Sequence, residues 1–139
     1  MNEPALHDWL SNFIAQQGGV AGTVHLREGD LLVLAAAVNI PPKVQELTRS
    51  IPKGKGMAGL AWERDQPITT CNLKEDASGA VKPGARAVDA KAAVALPVHA
   101  PGGELRAVVG IAYPDERDLG EADLVRLAEA AATAPTPAA

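Results

Sequence analysis

Two short runs, Leu31-Leu32-Val33-Leu34 and Val94-Ala95-Leu96, place apolar side chains at consecutive positions. Turn-forming residues bound them: Gly29-Asp30 and Pro41-Pro42 around the first, Pro101-Gly102-Gly103 after the second. Apolar runs this short and this sharply bounded read as strands, and a strand shows alternate residues to opposite faces. A sheet made from them has to be covered on both sides. Whatever covers the second side then decides whether the sheet carries a site.

One side is easily accounted for. Ala5, Leu6, Trp9, Leu10, Phe13 and Ile14 recur at helical spacing and Gly18-Gly19 stop the run, which predicts a helix over residues 4–17. A second helix starts at Asp118-Leu119-Gly120-Glu121-Ala122-Asp123, with acids at the positive end of its dipole and Leu124, Leu127, Ala128 and Ala131 on one stripe. Between them, Val20–Arg27 and Leu31–Val38 form a hairpin through Glu28-Gly29-Asp30, and Ala92–His99 pairs with Leu105–Tyr113 in another. Pro41-Pro42 end the first hairpin and permit a short helix around Val44 and Leu47; Met57 to Arg64 is a further helix, and Ile68-Thr69-Thr70-Cys71 a further strand. The result is an antiparallel α+β sheet of five to six strands with the two terminal helices on one face.

The opposite face is left to the irregular middle of the chain. Asn72 to Lys91 contains Ser78-Gly79 and Pro83-Gly84 and no sustained period, so it reads as a long loop capping a pocket. The 139 residues suit a single domain over 1–133, with its core at 20–132 and a disordered Pro/Ala tail at 134–139.

Composition narrows the function. With 13 basic and 17 acidic side chains the net charge is -4, which argues against nucleic acid as a partner. Nine of the basic residues fall between Lys43 and Lys91 against six acids, a local excess of +3 in the segment that closes the second face. No apolar run is long enough to span a bilayer and the acidic start lacks a signal sequence, so a cytoplasmic protein away from membranes is expected. A single cysteine, Cys71, precludes an intramolecular disulfide or a multi-cysteine metal site. His7, His25 and His99 have no metal-ligand spacing, so neither metal nor cofactor is expected. Aromatics are 3 % of the chain, giving a large flat ligand few stacking partners.

Gly54-Lys55-Gly56-Met57-Ala58-Gly59 fits the spacing of a dinucleotide-binding turn, but no buried parallel strand precedes it. The glycines are better explained by a tight turn and close packing of the helix that follows. This stretch, from Ile51 to Ala61 and on through Gln66-Pro67-Ile68-Thr69-Thr70, resembles GAF domains. Lys91 to Val98, with its apolar-Pro-apolar ending, is similar to a later strand of that family, Val109-Gly110-Ile111-Ala112 to the next, and Leu119 to Leu127 to the closing helix. The resemblance covers about Val20 to Ala132 and implies a profilin-like sheet with terminal helices on one face and a ligand pocket on the other. It also implies frequent dimerisation through the helices.

Several activities of that family do not fit. Residues Asp76 to Lys82 lack the Asn-Lys-x-Phe-x-Asp-Glu signature of members that bind cyclic nucleotides. Cys71 is poorly placed for a bilin. A free methionine sulfoxide reductase needs a nucleophilic thiolate and a resolving thiol, and Cys71 would have to rely on an external one. The residues favour a binding module over an enzyme. The expected ligand contacts are Trp62, Cys71, Lys82, Arg86 and Lys91, the three cations suiting an anionic small molecule. The expectation is a sensory module with no output domain of its own that signals through a separate protein and forms a homodimer by its terminal helices. A ligand-free interaction module is the other reading.

Overall fold

The computed structural model describes residues 4–70, 92–115 and 119–135. Among the described residues ten elements follow one another: α1 (Pro4–Gln17), β1 (Ala21–Glu28), β2 (Leu31–Val38), α2 (Pro42–Leu47), β3 (Ser50–Pro52), α3 (Gly56–Arg64), β4 (Ile68–Thr70), β5 (Ala92–His99), β6 (Leu105–Tyr113) and α4 (Glu121–Ala131). The strands form one six-stranded antiparallel sheet in the order β3-β2-β1-β6-β5-β4. No described helix is long and apolar enough to cross a membrane.

β3 is the least conspicuous strand in the sequence. Three residues ending in proline carry no alternation to read, and Ser50–Pro52 becomes a strand because Ile51 pairs with Leu32 at the edge of β2. Proline is tolerated there because an edge position leaves one side of the strand without a ladder partner.

The helix side of the sheet is filled with large side chains. Val24, Val109 and Leu96 lie in register across β1, β6 and β5, and Ile111 is opposite Val94. All five are buried, with Leu6, Leu10, Phe13 and Ile14 of α1 and Leu127 and Ala131 of α4 packed over them. Gly18, at φ 77°, turns the chain out of α1, and Gly19 N–H bonds the Ile14 carbonyl at 2.9 Å. α4 is started by Asp123, whose Oδ2 accepts the Gly120 N–H at 3.2 Å. Trp9 Nε1 donates to Thr133 Oγ1 at 3.0 Å, tying the two terminal helices together.

Two bulges redirect side chains. Val24 pairs with Ala36 and His25 with Leu34, so Ala35 is extra on β2. Near the other end of the sheet Val98 pairs with Ala107 and His99 with Leu105, so Arg106 is extra on β6. Arg106 turns to the end of α4, where its guanidinium donates to the carbonyl of Ala134 at 2.8 Å and approaches that of Ala132 at 3.5 Å. Burial lowers its pKa from the ordinary arginine value. Order consequently runs past the helix: Ala134, which the sequence assigns to the tail, is buried in the main core.

Among the described residues the other side of the sheet is covered by α2 and α3; the expected capping loop, Asn72 to Lys91, lies outside them. The glycine turn before α3 has the role expected of it: Gly54 and Gly56 take φ of 86° and 64°. Gly59 lies against β3, where a Cβ would come within 2.6 Å of the Pro52 carbonyl oxygen. α3 lays Ala61 and Trp62 onto Leu32, Ile51, Ile68, Ala95, Leu105 and Val108, a second core separate from the first.

Candidate functional site

Between these covering helices and the middle of the sheet lies a cavity of about 150 Å³. Its floor follows from register. Thr23, Gly110 and Ala95 form one cross-strand row on this face, and Ala21, Ala112 and Ala93 the next. Five of these six residues are glycine or alanine, so the sheet surface is low here and leaves a space beside the points where Val44 of α2 and Met57 of α3 pack near Ala21, Ala93 and Ala112. Thr23, Ala93, Ala95, Gly110 and Ala112 line the space from below; Ile40, Val44, Thr48 and Ile51 form one wall, and Gly56, Met57 and Ala58 at the start of α3 another.

Polar groups are few. His25 is buried at 3 % exposure and lines the cavity beside Val108, its cross-strand neighbour. Its Nε2–H donates to the Thr48 carbonyl at 2.8 Å, which fixes the proton on that nitrogen because a carbonyl can only accept. Thr48 uses its own hydroxyl to donate to the Val44 carbonyl at 2.8 Å. Thr23 is different. Its Oγ1 sits 3.0 Å from where a Cβ on Gly110 would be, so the missing side chain at Gly110 is what leaves it room. That hydroxyl makes no hydrogen bond to another described group.

No Lys, Arg, Asp or Glu lines the cavity among the described residues. A carboxylate entering it would lose hydration worth several kcal/mol. The amino end of α3, with no side-chain cap on Lys55, returns at most about 2 kcal/mol.

Trp62 is not among the lining residues. It is buried in the α3 core, and Arg27 and Lys53 approach its ring at 5.2 and 5.6 Å from the centroid, a cation–π arrangement at the edge of the sheet. The other expected contacts, Cys71, Lys82, Arg86 and Lys91, lie outside the described residues. His99 lies away from the cavity and pairs with Asp65, which follows α3. No group of three or more His, Cys, Asp or Glu side chains among the described residues could hold a metal ion. Thr23 and the small floor residues were absent from the sequence-based expectation, since alanine and glycine signal nothing until register brings them together.

A six-stranded antiparallel sheet with terminal helices on one face and a cavity under two short helices on the other defines an α+β domain whose two faces are built differently. The GAF domain profile matches residues 5–134, and the chain belongs to that family. Among solved structures it is similar to the A. aeolicus nlh2 GAF domain in an inactive state, at 22 % identity and TM-score 0.66, over 91 % of this chain and 75 % of that one. It is also similar to the GAF domain of a two-component sensor histidine kinase from Bacillus halodurans, at 19 % identity and TM-score 0.67, over 90 % and 87 %. A third relative in fold is the free methionine-R-sulfoxide reductase from Neisseria meningitidis in complex with its substrate, at 19 % identity and TM-score 0.61, over 90 % and 74 %. No curated protein matches the chain by sequence.

Proposed function

We propose that this GAF domain is a sensory or regulatory module that binds a small molecule between the sheet and helices α2 and α3, and reports occupancy to a partner protein. The observation that carries the reading is the cavity itself, floored by a patch of small residues where the opposite face of the same strands is solidly filled. A ligand there shifts the balance between conformations that bind it well and those that do not. β5 and β6 contribute to both the floor and the bed of α1 and α4, so a change at the floor is one strand thickness from the terminal helices.

Native mass spectrometry of freshly purified protein tests this. A retained small molecule, lost on mild denaturation, is the expected result. A bare chain that also shows no thermal shift with a metabolite library would leave the ligand-free interaction module as the better reading. The fold shared with a methionine sulfoxide reductase keeps one enzymatic alternative open, and it turns on Cys71. Thiol-dependent reduction of free methionine-R-sulfoxide that disappears in Cys71→Ser would replace the sensor reading with catalysis.

A further inference from the structure

We infer that the ligand is an uncharged compound of about six to eight non-hydrogen atoms, with a branched aliphatic or single-ring body and one oxygen or amide group that hydrogen-bonds Thr23. This rests on the sensor reading and narrows it to a ligand class.

Size comes first. The space within the described walls, about 150 Å³, equals in volume the apolar protein cavities that take up a single benzene. A cyclic nucleotide, with about twenty non-hydrogen atoms, belongs in a pocket of several hundred cubic ångströms.

Charge comes second. The described lining holds no lysine or arginine to meet an anion and no carboxylate to meet a cation. The one ring nitrogen of His25 whose role the geometry fixes is already spent on the Thr48 carbonyl. Against the described walls alone, desolvating a charged ligand exceeds what the amino end of α3 returns. An uncharged carbonyl, hydroxyl or amide avoids that loss.

The third observation is the Thr23 hydroxyl. It stands over Gly110 at the centre of the floor, half-buried and without a hydrogen bond to a described group, whereas the neighbouring Thr48 hydroxyl is satisfied by Val44. A hydroxyl both donates and accepts, so it suits either a ligand carbonyl or a ligand hydroxyl.

The test uses a pair of probes of one shape and different charge. The ¹⁵N-labelled full chain is titrated with isobutyramide and with isobutyrate, and with cyclic GMP as the size control. Isobutyramide is expected to shift the amides of Thr23, Ala95 and Gly110 saturably, isobutyrate to bind roughly tenfold more weakly or less, and cyclic GMP to leave those amides unmoved. Thr23→Val keeps the shape and removes the hydroxyl, and should weaken isobutyramide roughly fivefold. Ala93→Leu should abolish its binding by occupying the space; if that variant does not fold, Thr23→Val carries the test alone.

Isobutyrate binding as tightly as isobutyramide would overturn the uncharged class while leaving the sensor reading intact. Loss of that binding in Arg86→Ala/Lys91→Ala would then assign the charge to the segment between β4 and β5. Cyclic GMP shifting the floor amides would overturn the size limit, and no response to isobutyramide would overturn the inference as a whole. The sensor reading falls only if native mass spectrometry also finds no retained molecule.

Discussion

The two faces of the sheet are made by the same strands and behave oppositely. On the helix face β6 presents Val109, Ile111 and Tyr113, all buried under α1 and α4. Between them, pointing the other way, stand Gly110 and Ala112. β5 repeats the contrast, with Val94 and Leu96 on one side and Ala93 and Ala95 on the other. Alternation alone does not produce a cavity. It appears because large residues fall on one parity and small ones on the other, in register across neighbouring strands, and α3 rests on the larger rim residues Ile51 and Val108.

The contrast can be broken most severely from the filled face. Leu96→Ala should cost about 3 kcal/mol in chemical denaturation, because the void it leaves cannot close against α1 and α4. A cost below about 1 kcal/mol would mean that this face is no better packed than the other. The sharper comparison adds volume instead. Ala107→Leu, under the helices at 0 % exposure, should destabilise by about 1–3 kcal/mol through overpacking. Ala93→Leu, at the half-buried cavity floor, should be within about 1 kcal/mol of the parent. Equal penalties would show that the cavity closes in solution.

Arg106→Ala separates the end of α4 from the sheet. It should lose about 1–2 kcal/mol, with amide exchange accelerated at Thr133 and Ala134 and unchanged at Thr23 and Gly110. Acceleration at the floor as well would show the two faces to be coupled through β6. The smallest expected effect is at Trp62, on the cavity side but outside the cavity. Arg27→Ala should cost about 0.5–1 kcal/mol by removing one cation from its ring and should not alter probe binding.

Much of the architecture was legible because punctuation is local. Gly18-Gly19, Glu28-Gly29-Asp30, Pro41-Pro42 and Pro101-Gly102-Gly103 divide the chain close to where its elements end, and the apolar stripes of α1 and α4 show which surface they bury. β3 escaped notice because its pairing with Leu32, rather than its own composition, makes it a strand. The site was less legible for a different reason. Sequence reading drew attention to side chains with chemistry, Trp62, Cys71, Lys82, Arg86 and Lys91, whereas the described cavity is defined by side chains that are missing. Neither bulge is visible in the sequence either, and it is Ala35 that accompanies the placement of His25 and Arg106 that reaches the end of α4.

The guanidinium of Arg106 gives the chain a fixed bearing as it leaves the last helix. Up to Ala134 the chain takes its heading from β6 rather than from a swivel. Tilting that strand by a few degrees would swing this end of the chain like the tip of a compass needle.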